Sequence, residues 1–369
     1  MEGKMRICVI TFHDTLNFGA TLQCTATSRC LAKQGHDVKV INYLPDYVMD
    51  KKSTMKEIRN IGRSSNKVKA LVKGFAYLTK SGDIRKKNRC YEEFLNANVY
   101  RTDAYHTFDE LVKNPPEADL YICGSDQIWN PALTGGKLDP AFFLKFAEGR
   151  KAAYGVSVGE LDINSEAEKL KELTADMAGV SVREKSVAVD MAFAIERDVD
   201  VVLDPTLLLE KSDYVKMESA SPVIEKPYLL LYNVQNSKES VGTAKKIAAE
   251  KGLDIIDISP NPFAKIDGVK KLLDIGPGEF LKLFDGADCV VTNSFHGTVF
   301  SVIYEKEFWA LGHSKRAGRT YDLLDTLNLM NRFISDPSEA DGSPIDYSDA
   351  RERLAHRRAH SMDYIKSLL

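Results

Sequence analysis

Short apolar runs alternate along the chain with longer stretches of helical periodicity. Arg6–Thr11 follows a charged start and reads as a buried first strand. Gly19–Gln34 places Leu22, Ala26 and Cys30 on one stripe and reads as a helix that Gly35 ends. Val38–Tyr43 is the second strand, so the chain opens with a βαβ unit, the start of a doubly wound sheet. Residues 46–110 break this rhythm with Lys, Asn and Ser and with amphipathic segments at Ile58–Leu78 and Lys86–Asn96, a helical insertion in the first domain. Leu120–Cys123 resumes the sheet. Ala152–Val158, Gly179–Val182 and Val201–Leu203 continue it, with helices expected over Ser165–Ala175 and Ser186–Ile195.

The polar stretch Glu210–Lys226 reads as a domain boundary. Beyond it the same grammar restarts. Strands are expected at Tyr228–Val234, Asp254–Ile258, Cys289–Thr292 and Glu307–Leu311. Helices are expected at Ser237–Lys251, Gly278–Phe284, Phe295–Tyr304 and Thr320–Leu327. Tyr347–Leu369 is a charged helix placed to pack back on the first domain. The expected organisation is α/β: residues 1–215 as an N-terminal Rossmann-like domain carrying the insertion, 216–335 as a C-terminal one, and 336–369 as a tail. Two such units leave a cleft at their strand C-termini, where open α/β sheets bind ligands.

Composition adds exclusions. In 369 residues the 50 basic and 53 acidic side chains give a net charge of -3, so no global basic field draws the chain to nucleic acid. No apolar run reaches the roughly 18 residues of a bilayer span, and MEGKMRICVITF lacks a signal-peptide core. The cytoplasm is the expected location, with peripheral contact at the inner membrane face left open. The six cysteines form no CxxC or zinc spacing and read as small buried hydrophobes. No metal is expected.

Five stretches carry candidate chemistry, each at a turn after a strand. The first, Leu16–Gln23, contains Asn17, Gly19 and Gln23. Gly19 permits close backbone approach and the helix start offers free N–H groups to an anion. It is not a GxGxxG fingerprint, so dinucleotide binding has no support. The second, Gly124–Pro131, sets Ser125, Asp126 and Gln127 where sugar hydroxyls could be held, with Trp129 as a ring platform or a buried anchor. The third, Ser181–Ser186, ends an apolar strand in Arg183, whose guanidinium would point at the cleft and suits a carboxylate or phosphate, against the alternative of an ion pair with Glu184. Asp204 ends the next strand as a ligand or as a turn cap. The fourth, Thr292–Thr298, starts a helix at Asn293 or Ser294 and sets His296 in its first turn, beside Gly297, which leaves room for a ligand. The helix dipole disfavours an imidazolium there, which suits acid–base work or donation to a phosphate oxygen. The fifth, Gly312–Arg319, gathers Lys315, Arg316 and Arg319 in a glycine-flanked loop that matches a small polyanion.

Taken together, LNFGATLQ, GSDQIWNP, SVREKS, DPTLLL and TNSFHGTVFSVIYEKEF followed by GRTYDLL resemble the polysaccharide pyruvyl transferase family over roughly residues 5–330. The resemblance implies two Rossmann-like domains in the GT-B arrangement and transfer of a pyruvyl group from phosphoenolpyruvate onto a sugar or glycan, free or lipid-linked, as a ketal. No other cofactor is implied. It sets Arg183 at a donor-binding arginine and His296 at the family's key histidine. Better-characterised members carry Arg-Leu-His where this chain has Ser294-Phe295-His296, so Lys315, Arg316 or Arg319 replaces a cation or the reaction differs. In this reading Ser294, Gly297, Lys315, Arg316 and Arg319 bind the donor. His13, Asp14, Asn17, Gly19, Gln23, Ser125, Asp126 and Gln127 line the acceptor side. Arg183→Ala or His296→Ala would abolish turnover at a nearly unchanged unfolding midpoint. The competing readings are a nucleotide-sugar glycosyltransferase of the same architecture and a non-catalytic glycan-binding relative.

Overall fold

A computed structural model of the chain describes residues 3–49, 81–312 and 318–369. The amphipathic segment Ile58–Leu78 and the cations Lys315 and Arg316 lie outside the described residues.

Two parallel sheets organise the rest. The first comprises β1 (Arg6–Ile10), β2 (Asp37–Tyr43), β3 (Arg101–Tyr105), β4 (Leu120–Cys123), β5 (Arg150–Val156), β6 (Gly179–Val182) and β7 (Asp200–Val201). Their order across the sheet is β3-β2-β1-β4-β5-β6-β7. Its helices are α1 (Phe18–Lys33), α2 (Asp46–Met49), α3 (Ser81–Asn98), α4 (Phe108–Lys113), α5 (Ala167–Thr174), α6 (Lys185–Ile195) and α7 (Lys211–Val215). The second sheet comprises β8 (Tyr228–Tyr232), β9 (Asp254–Asp257), β10 (Lys270–Lys271), β11 (Cys289–Thr292), β12 (Glu307–Leu311) and β13 (Phe333–Ile334), in the order β10-β9-β8-β11-β12-β13. It carries α8 (Lys238–Lys251), α9 (Pro277–Gly286), α10 (Phe295–Ile303) and α11 (Gly318–Thr326), and the tail forms α12 (Ser348–Leu368).

The central strands are short and wholly apolar because helices cover both faces. LYIC of β4, YLLLY of β8 and CVVT of β11 are buried at every position. Each sheet reverses its strand order once, between β1 and β4 and between β8 and β11. Parallel sheets open a crevice beyond the carboxyl ends of the strands at such a switch point.

The lobes share one core. Phe18, at the start of α1, stacks on Phe280 of α9 at 4.6 Å and meets Tyr232 edge-on at 6.0 Å. This explains why α1 is buried along most of its length rather than on a single stripe. Helix α3 adds a second bridge, with Lys86 bonded to Asp274 at 2.5 Å and Cys90 packed on Gly276. Helix α12 joins both lobes as well. Its Tyr364 hydroxyl donates to the Ala153 carbonyl at 3.0 Å and its Ser361 hydroxyl accepts from the Leu203 N–H at 2.9 Å. At its other end Arg351 pairs with Glu305 at 2.6 Å.

Three details differ from the sequence reading. Within 46–110, Arg101–Tyr105 is not helical but pairs with β2 as the sheet edge. Its polar RTDAY pattern is what an edge strand tolerates, and it carries no apolar alternation. The boundary stretch contains α7, which the side chains of Glu210 and Asp213 cap reciprocally. The two-residue strands β10 and β13 are too short for any periodicity to mark.

Candidate active site

The two switch points face each other across a cavity of about 390 Å³. The first lobe lines it with Asn17 after β1, Asp126, Gln127 and Asn130 after β4, and Glu184 and Ser186 after β6. The second lobe contributes Tyr232 and Gln235 after β8, Ser294, Phe295 and His296 after β11, and Gly318 and Arg319 beyond β12. Four helices of nine residues or more therefore begin at its wall: α1, α6, α10 and α11. Helix starts carry unpaired N–H groups and the positive end of the dipole, so the wall favours anionic ligand groups.

Side chains cap two of these helix starts. Asn17 Oδ1 accepts from the Ala20 N–H at 3.3 Å, and Ser294 Oγ accepts from the Gly297 N–H at 3.4 Å. The first-turn histidine of α10 is buried, at 8% exposure. Its Nε2 stands 3.7 Å from Asp204 Oδ2, beyond hydrogen-bond reach, and has no partner among the described residues. Directly against the ring lies Gly19 of α1, where a Cβ would sit 2.1 Å from His296 Nδ1. The glycine that the sequence assigns to ligand approach thus makes room for an imidazole from the other lobe. Gly297 has an internal reason too: a Cβ there would lie 2.2 Å from Thr292 Oγ1. The room it leaves is filled by Thr292, not by ligand.

Arg183 differs most from expectation. Its side chain is only 1% exposed and three carboxylates hold it. Nη1 donates to Asp204 Oδ2 at 2.6 Å, Nη2 to Asp126 Oδ1 at 3.3 Å, and Nε faces Glu184 Oε1 at 3.5 Å. The guanidinium also lies over the Phe295 ring at 5.0 Å. A group so paired does not present its charge to the cavity; it fixes the turns after β4, β6 and β7 relative to one another. Burial works against its charge, and the three carboxylates more than offset that, so its pKa rises. Asp204 shows the reverse balance. Burial alone would raise its pKa, but His296, Arg183 and Thr206 outweigh burial and hold it well below the ordinary carboxylate range. Asp204 also caps its own turn, accepting from the Thr206 N–H at 3.0 Å.

This depression has a measurable consequence. A carboxylate whose folded pKa lies below the unfolded value of about 3.9 contributes stability that is complete above that pH and lost as pH falls through the folded value. The stability gap between wild type and Asp204→Asn, read from urea midpoints, should therefore be wider at pH 7 than at pH 3. An equal gap at both would remove Asp204 from the acid response.

Arg319, second residue of α11, is the cation at the cavity wall. Its guanidinium lies 5.7 Å from the Phe295 centroid, with Nε 3.9 Å from Glu184 Oε1. Its side chain is 19% exposed and among the described residues no hydrogen bond engages it. Burial and the neighbouring Arg183 charge push its pKa down, but a guanidinium remains protonated.

Several acceptor-side candidates lie elsewhere. His13 is buried between Asn42 at 3.0 Å and the Thr11 carbonyl at 3.2 Å, and burial lowers its pKa. Gln23 donates to Thr11, Phe12 and Ala20, and Ser125 is buried under Thr11 and Gly155. These three tie the β1 and β4 turns together inside the first lobe. Asp14 is half-buried and does not line the cavity. Trp129 is fully buried, stacks on Phe143 at 4.6 Å and donates to the Phe142 carbonyl, an anchor for its loop. Asn17, Asp126 and Gln127 do line the cavity. Sequence reasoning passed over Glu184, Asn130, Gln235 and Phe295. Only the place of Glu184 after a strand-end arginine and of Phe295 before the histidine could have signalled them.

A family model described as polysaccharide pyruvyl transferase matches residues 17–315. No curated protein matches the chain. Among solved structures, a putative UDP-N-acetylglucosamine 2-epimerase from Listeria monocytogenes is similar over 99% of this chain and 90% of that one, at 8% identity and a TM-score of 0.51. An α-glucosyltransferase solved with UDP and a 13-mer DNA containing an HMU base is similar over 99% and 93%, at 10% identity and a TM-score of 0.50. At such identities the likeness is one of fold: two Rossmann-like domains facing a cleft in the GT-B arrangement.

Proposed function

The chain belongs to the polysaccharide pyruvyl transferase family, and from that premise we propose that it transfers the pyruvyl group of phosphoenolpyruvate to two hydroxyls of a sugar, forming a ketal. The acceptor belongs to a cell-surface polysaccharide or its precursor, free or lipid-linked, and the reaction takes place in the cytoplasm or at the inner membrane face. One observation carries the reading. Four helix starts, the Arg319 guanidinium and a buried imidazole whose Nε2 has no hydrogen-bond partner among the described residues meet in one cavity at the switch points of both sheets.

Phosphoenolpyruvate sets a carboxylate and a phosphate on three carbons, and dispersed helix N-termini with one guanidinium suit two anionic groups held a few ångströms apart. Arg319 supplies the cation that position 294 lacks, stacked on the adjacent Phe295. Ser294 caps the helix start with a neutral hydroxyl and adds no negative charge beside the donor. His296, beside Asp204, gives a proton to the methylene carbon or to the leaving phosphate, and Asp204 steadies the imidazolium form. Arg183 is the positioning group that holds Asp204 and Glu184 in place.

Isothermal titration with phosphoenolpyruvate, together with phosphate release on adding glycan acceptors, tests this. Wild type should bind the donor. Arg319→Ala should weaken binding about 10- to 100-fold, the worth of a hydrogen bond to a charged group at roughly 1.5–3 kcal/mol. Thermal stabilisation by a UDP- or GDP-sugar and none by phosphoenolpyruvate would replace this reading with a glycosyltransferase.

A further inference from the structure

Resting on that reading, we propose that Glu184 binds the acceptor sugar: its Oε2 takes the hydrogen of the hydroxyl that attacks the donor. Glu184 is the residue before α6, and its side chain is 5% exposed. One carboxylate oxygen is fully occupied. Oε1 accepts from the Ser157 hydroxyl at 2.6 Å and faces Arg183 Nε at 3.5 Å and Arg319 Nε at 3.9 Å. The other oxygen, Oε2, is buried and has no hydrogen-bond partner among the described residues, although the residue lines the 390 Å³ cavity. A buried carboxylate oxygen left unpaired costs more than a typical hydrogen bond returns, so such a group in a cavity wall marks the place of an incoming donor.

The chemistry of the two substrates decides which one supplies that donor. Ionised phosphoenolpyruvate carries only acceptor oxygens and negative charge, and a carboxylate repels both. A sugar carries hydroxyl hydrogens. The same wall adds Asp126, a second carboxylate, and the amides of Gln127 and Asn130, polar groups that suit a diol. Asn130 Nδ2 already donates to Gln127 Oε1 at 3.0 Å, so the pair is held in a fixed orientation.

The step balances as follows. The hydroxyl hydrogen moves to Glu184 Oε2 as the sugar oxygen bonds to C2 of the donor, and C3 gains a proton to become the methyl group. The bond from C2 to the phosphate oxygen then breaks, the second hydroxyl adds at C2 and loses its own proton, and the ketal closes. Of the two hydroxyl protons released, one is matched by the proton placed on C3 and the other leaves with inorganic phosphate. Glu184 returns to its starting form.

The test separates the two substrates. Binding of phosphoenolpyruvate is measured by calorimetry. Binding of methyl glycosides of galactose, glucose, mannose and N-acetylglucosamine, in the presence of phosphoenolpyruvate, is measured by saturation-transfer NMR. In Glu184→Gln the glycoside affinity should fall at least about tenfold while the donor affinity stays within about twofold, a split that loss of a structural ion pair would not produce. Where Gln impairs folding, Glu184→Asp keeps the charge beside Arg183 and withdraws the oxygen by one methylene, and the same split is expected. Unchanged glycoside binding in both variants, or wild type that binds the donor and none of the glycosides, overturns the assignment and leaves the proposed transfer standing. Wild type that binds glycosides through Glu184 but never phosphoenolpyruvate upholds Glu184 and brings down the donor.

Discussion

Replacing Arg183 by alanine should lower the free energy of unfolding by about 3–5 kcal/mol, the cost of leaving buried charges without their partner. Three carboxylates converge on this one guanidinium, and its side chain is 1% exposed. Without it Asp126, Glu184 and Asp204 face one another, with only Arg319 and His296 near them as cations among the described residues, and burial hinders water from taking over. Urea unfolding followed by the fluorescence of Trp129 and Trp309, both buried, reads this as a large drop in midpoint. The expectation drawn from sequence, that the variant loses turnover at unchanged stability, is thereby revised. Arg183→Lys should recover only part of the loss, because one ammonium cannot span three carboxylates as a planar fork does. A midpoint unchanged in Arg183→Ala would mean that the cluster is solvated and contributes little.

Gly19→Ala should act mainly on activity, with a smaller effect on stability. A methyl group at residue 19 would stand 2.1 Å from Nδ1 of His296 and 2.5 Å from Cγ, so the imidazole must move. Gly19 lies in the first turn of α1 with helical neighbours, and alanine is a better helix former there by up to roughly 1 kcal/mol. Crowding the buried ring costs about 1–3 kcal/mol, which the helix gain only partly offsets, so the unfolding midpoint should fall modestly, by less than in Arg183→Ala. Displacing a reacting group by an ångström costs on the order of 100-fold in rate, and that loss should appear as phosphate release slowed at saturating donor. Wild-type turnover in Gly19→Ala would show that His296 need not occupy its present position.

The difference between these two residues also shows what the sequence could carry. Both sit at strand-to-helix turns, and alternating apolar runs located every such turn that now lines the cavity: after β1, β4, β6, β8, β11 and β12. Short strands such as CVVT and EFWAL, each with four consecutive buried positions, leave little freedom in assignment, because such a run bounded by polar turns is too brief for a helix. Partnership is not written in that pattern. Arg183 reaches Asp126 and Asp204, which lie far from it along the chain, and only the packing of three parallel strands brings them together. Gly19 and His296 come from different lobes, so no local rule links them. Edge strands escaped for a related reason: RTDAY makes its ladder with β2 through backbone groups, to which side-chain patterning is blind. Glu184 entered the sequence reading only as the partner in an alternative ion pair with Arg183. Its free oxygen becomes visible only once Ser157 and both arginines are seen to occupy the other.

The aromatic stack of Phe18, Tyr232 and Phe280, with α3 and α12 strapped across both halves, carries a last consequence. Swinging the halves apart like jaws would expose that stack to water and break both straps, so each catalytic cycle would have to undo part of the hydrophobic interior. The architecture instead resembles a mould with a fixed seam, in which the substrates of the proposed transfer would come and go through the mouth. Substitutions at that mouth would change ligand choice without renegotiating the seam.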